Sequence, residues 1–262
     1  MKKGIIHIVI LLCLSAYSFG GAITLEGIFQ GKNLYVMNPF SSSGVGFCVY
    51  EVRVNGELTT DEINSSAFEI DLSIFQFKLG DKLEVIIKHK ENCKPKVLNP
   101  EVLKPKSTFN TVSIEVSKDG MLKWSTTGEA GELPFDVQQY RWNKWVTAGT
   151  VQGKGIPGTN TYQLKVNPHS GNNKFRVRQV DYSKTPRYST EADFRSMSPP
   201  VSFEPKKVDN VINFTMETQY EIYDYYGNIV LKGIGDKIDV SRLAKGDYFI
   251  NYDNTMDTFK KK

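Results

Sequence analysis

From Ile23 to the C-terminus the chain is a succession of short runs in which apolar and polar residues alternate, each closed by Gly, Asn, Asp or Pro. Period-two alternation places one set of side chains on one face of a strand, and turn residues at short intervals send the chain back. Helical spacing is nearly absent, so the fold class expected is all-β: three tandem small β-sandwiches, immunoglobulin- or fibronectin III-like, behind a leader. In the first block, residues 23–106, Cys48, Tyr50, Val52 and Val54 are expected on one inward face ending at Asn55-Gly56, a pair suited to a tight hairpin because both positions tolerate positive φ. Phe68, Ile70 and Leu72 make a second half-buried run, and Leu83, Val85 and Ile87 a third. Residues 98–106 hold two prolines and no alternation, and read as a linker.

The first 22 residues have the layout of a secretory signal: Lys2 and Lys3, an apolar run from Ile5 to Leu14, then small residues Gly20, Gly21 and Ala22 before a mature start near Ile23. The apolar run is shorter than the roughly 20 residues a spanning helix needs, and no later stretch approaches that length. Two cysteines lie outside the leader, Cys48 and Cys93, and in an oxidising compartment an even pair is expected to form a disulfide. The formal charge of +4 becomes +2 without Lys2 and Lys3 (4 − 2). Such a near-neutral chain lacks the concentrated basic surface of a nucleic-acid partner.

The second block, residues 107–197, runs through Val112, Ile114 and Val116, a turn at Asp119-Gly120, then Leu122 and Trp124, and on through four further short runs, residues 135–140, 145–151, 162–166 and 174–180. Leu122-Lys-Trp124, Phe135-Asp-Val137-Gln-Gln and Phe175-Arg-Val177-Arg-Gln179-Val-Asp181 resemble the strands of fibronectin type III modules in Bacteroidota surface proteins. After the Ser198-Pro199-Pro200 break comes a third block, residues 201–262. Its order is Ile222-Tyr-Asp224-Tyr-Tyr-Gly227, then Ile238-Asp239-Val-Ser241-Arg-Leu243-Ala-Lys-Gly246-Asp-Tyr248-Phe249, then a basic end with Lys260 and Lys261. This order resembles the type A C-terminal sorting domain of the type IX secretion system, with Asp247 standing where an apolar residue is more usual. The resemblance implies a small β-sandwich that the outer-membrane translocon recognises and a surface sortase often removes. Taken whole, the chain is similar to the small PorA-type proteins linked to secretion and gliding.

No catalytic constellation stands out. His89 continues the apolar face of Leu83, Val85 and Ile87, and His169 lies in a Pro-His-Ser-Gly turn, so structural roles are expected for both. There is no Gly-x-Ser-x-Gly elbow, no His-Glu-x-x-His helix and no spaced Cys/His cluster, and Gly153, Gly155 and Gly158 open no helix that would cradle a phosphate. Asp61-Glu62 and Glu129 with Glu132 read as solvated turn acids. No cofactor or metal is expected. Two features are candidate binding faces: Lys174, Arg176 and Arg178 on one face of a strand, suited to an acidic glycan or protein, and Tyr140, Trp142 and Trp145 as a stacking platform or protein hot spot.

The function expected is that of a non-catalytic exported protein of the type IX and gliding machinery, held at the outer membrane or cell surface by contacts with the translocon and its associated proteins. The alternative is type IX cargo acting as an adhesin or glycan-binding module.

Overall fold

A computed structural model describes residues 20–42 and 44–262, so most of the leader lies outside the described residues. The chain forms two compact units, one of residues 20–77 with 82–103 and the other of residues 78–81 with 104–262. No helix among the described residues is long and apolar enough to cross a membrane. The helical pieces among them are two 3-10 turns, Leu72–Phe75 and Pro100–Leu103.

In the first unit the strands are β1 (Gly21–Ile28), β2 (Leu34–Met37), β3 (Val49–Val54), β4 (Glu57–Leu58), β5 (Ala67–Ile70), β6 (Lys82–His89) and β7 (Lys96–Val97). They pair as β1-β6-β3-β4 and β5-β2-β7. The inward residues of both sheets, Leu34 and Val36 with Val52, Val54, Ile70, Val85 and Ile87, are wholly buried in one cluster. Asn55 and Gly56 take the expected positive φ, and the Asn55 side chain accepts from the Glu84 N–H at 2.7 Å. Cys48 and Cys93 are joined, with Cα atoms 5.6 Å apart.

Three expectations for this block change. Gly21 and Ala22, assigned to the leader, pair with His89 and Lys88 as the start of β1. A bulge between Val49 and Glu51 turns Val49 inward and leaves Tyr50 half exposed, because one extra residue reverses the alternation around it. The linker reading of residues 98–106 fails for its first part, since Leu103 is buried in the core and so near Gly27 that a Cβ there would meet the Leu103 carbonyl at 2.4 Å, while the boundary between the units falls after Leu103. Asn99 fixes this segment by accepting from the Tyr35 N–H at 2.8 Å.

The second unit holds two cores. Strands β8 (Asn110–Val116), β9 (Met121–Thr127), β10 (Pro134–Arg141), β11 (Lys144–Gln152), β12 (Asn160–Lys165), β13 (Gly171–Val180), β14 (Pro186–Tyr188) and β15 (Ala192–Ser196) make the middle block. Its sheets are β12-β9-β8 and β11-β10-β13, with β14 and β15 both on β13. Trp124, Phe135, Tyr162 and Phe175 fill the space between them, with the Trp124 and Tyr162 rings stacked 5.3 Å apart. The last block has β16 (Phe203–Glu204), β17 (Lys207–Val208), β18 (Val211–Tyr223), β19 (Ile229–Asp239), β20 (Gly246–Tyr252) and β21 (Thr255–Lys261), in the order β16-β18-β20-β21-β17, with β19 on β18. Ile212, Ile222, Val240 and Ile250 are its wholly buried centre.

Two acids assigned to solvated turns separate. Asp61 is half-buried at a bend, its carboxylate accepting from the Thr59 hydroxyl at 2.5 Å and the Asp71 N–H at 3.1 Å, but Glu129 is 2% exposed, and its carboxylate accepts from the Tyr162 hydroxyl at 2.8 Å, the Thr126 hydroxyl and the Gly155 N–H at 2.9 Å. The glycine-rich loop after β11 is therefore tied to a carboxylate of its own domain. Gly155 has φ 69° and lies against the Gly131 backbone, so a side chain has no room there.

Candidate docking and binding surfaces

The sequence motif of the last block forms turns and core. Asp224 closes the β18–β19 hairpin: its carboxylate accepts from the Tyr226 N–H at 2.9 Å, the Asn228 N–H at 2.8 Å and the Asn228 amide at 3.0 Å, while Gly227 takes φ 83°. These bonds, that of the Asn228 side chain first, hold the Asp224 carboxyl below the usual carboxylate range. Asp239 accepts from the Ser241 N–H at 2.9 Å and is lowered in the same way, which caps the turn after β19. Leu243 packs against the core, and Gly246 opens β20. Tyr248 is buried against the Phe259 ring and donates to the Ala244 carbonyl at 2.9 Å, whereas its neighbour Phe249 points out and is half exposed. Lys260 and Lys261 lie in β21.

A terminal strand can offer its edge to a receptor only where that edge is unpaired. The last residues of β21 are already paired: Lys260 and Lys261 lie beside Lys207 and Val208 of β17, and the Lys262 N–H donates to the Val208 carbonyl at 2.9 Å. Among the longer strands of this sheet β19 has one paired edge, on β18, while the two-residue strands β16 and β17 end the order on β18 and β21.

The candidate faces of the middle block divide. Lys174, Arg176 and Arg178 do share the outer face of β13, and each is engaged within the sheet. Lys174 pairs with Glu191 at 2.9 Å and Arg178 with Asp136 at 2.7 Å. The Arg176 guanidinium lies 4.0 Å from the ring centres of both Trp145 and Tyr188 and donates to Gln138 at 2.9 Å. Tyr140 meets Trp145 edge to face at 5.4 Å. Tyr188, the second ring of this ladder, carries no sequence signal beyond being aromatic, because its pairing with β13 is a tertiary fact. Trp142 leaves the platform altogether: the β10–β11 turn intervenes after Arg141, so the alternation that groups it with Tyr140 ends one residue too soon.

Beside this face is a cleft of about 600 Å³ whose lining includes Tyr140, Asn143, Asn172, Arg195 and Asn254. The side chains of Asn143, Asn172, Arg195 and Asn254 make no hydrogen bond or ion pair among the described residues.

Residues 204–262 match the family model of the secretion system C-terminal sorting domain. The chain ends in a type IX sorting domain. A domain of this kind marks a chain as exported cargo, destined for the outer membrane or cell surface. None of the curated proteins compared with the chain matches it. Among solved structures it is similar to a tetra-tandem repeat in the extending region of a large adhesion protein, at 13% identity over 92% of this chain and 73% of that one, with a TM-score of 0.31. It is similar to dimeric latent PorU from Porphyromonas gingivalis at 12% identity, over 93% of this chain and 29% of that one, with a TM-score of 0.23. Chicken CNTN1 FN1-FN3 domains give 9% identity over 93% and 95% of the two chains, with a TM-score of 0.25. Likenesses of this size carry no functional argument.

The sorting domain and the middle block belong to one compact unit, and the residues between them are ones that sequence reasoning misplaced or missed. Trp142 and Asn143 form the β10–β11 turn with φ 52° and 58°, a left-handed pair that a bulky side chain enters only when its surroundings hold it there. The Trp142 ring is 6% exposed, and its N–H donates to the Tyr252 carbonyl at 3.4 Å. Next to it the Lys144 ammonium donates to Glu221 at 2.6 Å and to the Tyr223 hydroxyl at 2.7 Å. Burial depresses that ammonium, but the bonds to Glu221 and Tyr223 outweigh it and leave its pKa raised. Arg141 is 2% exposed; burial pulls its guanidinium down to about 10 against the opposing carboxylates of Asp253 and Glu221.

Asp253, at the β20–β21 turn with φ 46°, is 3% exposed. Its carboxylate accepts from the Ser170 N–H at 2.8 Å, the Ser170 hydroxyl and the Val201 N–H at 3.3 Å. The sequence marks Asp253-Asn254 as a turn and Pro168-His169-Ser170 as another, yet nothing in either marks them as partners. His169 is buried here with Nδ1 2.7 Å from the Ser170 carbonyl, in keeping with a structural role. Among the described residues no three His, Cys, Asp or Glu side chains gather as a metal site.

Proposed function

We propose that the protein is a non-catalytic cell-surface component that works through contacts at the outer membrane, its leader taking it to the periplasm and its sorting domain docking to the type IX translocon and associated proteins. The observation that carries this reading is the sorting domain at residues 204–262, folded with its turn carboxylates Asp224 and Asp239 engaged and its motif aromatic Tyr248 in the core. The buried polar groups of the second unit serve its packing, and the reading calls for no cofactor or metal. Deleting residues 201–262 is expected to leave the protein in the periplasm, and surface protease accessibility that persists after the deletion rules the docking role out. Deleting the whole gene is expected to impair export of unrelated sorting-domain proteins; intact export with altered adhesion favours cargo.

The second reading, cargo that binds an acidic surface glycan, draws on the cleft beside Tyr140. Amide side chains and Arg195 without protein partners, next to an aromatic ring, suit hydroxyl and carboxylate groups of a sugar. A glycan array with the mature chain tests it: binding is expected to fall in Arg195→Ala and Tyr140→Ala.

A further inference from the structure

We propose that the sorting domain stays bound to the middle block after the connector between them is cut, so that processing of the connector need not shed it. The connector and the contact surface are different parts of the chain. Met197 is 89% exposed and Ser198, Pro199 and Pro200 are exposed, whereas Val201 and Phe203 are already buried in the sorting-domain core. Hydrolysis of a peptide bond in residues 197–200 consumes one water and leaves a new carboxylate and a new amine, both in solvent.

Among the described residues, the side-chain hydrogen bonds that join the middle block to the sorting domain involve none of those four residues. The Trp142 indole, Lys144 and Ser170 come from the middle block and meet Tyr252, Glu221, Tyr223 and Asp253 of the sorting domain. A buried tryptophan flanked by cations is the kind of anchor that dominates protein interfaces. Its left-handed backbone would be unfavourable without the burial that its ring gains against the sorting domain. Asp253 adds a carboxylate whose acceptors are satisfied by backbone and hydroxyl donors from both sides of the connector. The junction is thus built as a binding interface between two parts of one chain.

The test uses the mature chain with a specific protease site inserted between Met197 and Ser198, cut to completion and run by gel filtration at micromolar concentration. The two fragments are expected to co-elute. Trp142→Ala and Asp253→Asn are expected to weaken retention at least tenfold. Lys144→Ala, whose side chain is 41% exposed, disturbs folding least and is expected to weaken retention by a smaller factor. Separation of the unsubstituted fragments overturns the proposal, and so does undiminished co-elution in both Asp253→Asn and Lys144→Ala. The readout is retention in purified protein, so it is independent of whether the chain serves the export machinery or adhesion.

Discussion

The two compact units are closed by different fastenings. The first is held by an apolar core, with the buried Asn38 side chain accepting from the Val49 N–H at 2.9 Å, and by one covalent bridge, Cys48–Cys93, spanning 45 residues of chain. The second has apolar cores of the same sort, but it is also fastened by buried polar groups: Glu129 inside the middle block, and Trp142, Lys144 and Asp253 between that block and the sorting domain. A covalent clasp ignores pH and yields to a reductant. A clasp of hydrogen bonds ignores reductant and yields to substitution or protonation, so each unit is expected to fail under conditions that leave the other alone.

The largest expected effect is on the first unit. Cys48→Ala with Cys93→Ala removes a cross-link worth about 4 kcal/mol in the chain-entropy account of a loop this long. Calorimetry with and without reductant is expected to show one transition moving down and the other fixed. A shift of both transitions together breaks the contrast. Next comes Glu129→Ala in the second unit, which strands the Tyr162 hydroxyl, the Thr126 hydroxyl and the Gly155 N–H in a buried site. Unsatisfied buried donors put the loss at about 3 kcal/mol. Glu129→Gln keeps acceptors for two of these groups and is expected to cost less; equal losses for the two variants would show that the charge, not the acceptor geometry, holds the loop.

The contrast also marks what could be read from the residues alone. Apolar alternation and the cysteine pair made the first unit legible, because each signal is local or counts to two. The sorting motif was legible for the same reason: Asp224 and Gly227 act within five residues of each other. What escaped was every contact that depends on which turn meets which. Asp253 and Ser170 are separated by 83 residues and look like ordinary turn formers. Glu129, next to glycines at 128 and 131, has the local signature of solvent, and only the stacking of Tyr162 on Trp124 brings a buried hydroxyl to it. Trp142 was misplaced because alternation predicts a face only while the strand lasts.

Acid sharpens the comparison further. Burial holds the His169 imidazole below its usual pKa, the neighbouring Arg141 cation lowers it too, and the backbone bonds and Asp253 only partly offset them. The unfolded chain then takes up a proton near pH 6.5 that the folded chain refuses, so the second unit loses stability as pH falls below about 6.5 toward the lowered folded value. His169→Asn is expected to flatten that slope below about pH 6.5, read from denaturant midpoints. An unchanged slope in this variant would move the origin of the acid sensitivity elsewhere in the unit.

The smallest expected effect is local to the sorting domain. Asp224→Ala deletes a half-buried surface carboxylate that organises the β18–β19 turn through the Tyr226 and Asn228 N–H groups. Solvent replaces those bonds readily, so global stability changes little and the loss appears as faster amide exchange at Tyr226 and Asn228. Because the hydrogen bonds lower the folded pKa of Asp224, its contribution is present above the usual aspartate range and fades as pH drops through that lowered value. Exchange at these two amides in the unsubstituted protein is therefore expected to approach that of Asp224→Ala only in strong acid. Gly227→Ala provides the backbone counterpart: at φ 83° an added Cβ meets no atom within 4 Å yet is strained by the conformation itself. It should loosen the same hairpin at every pH, which separates what the carboxylate does from what the glycine does in presenting this turn.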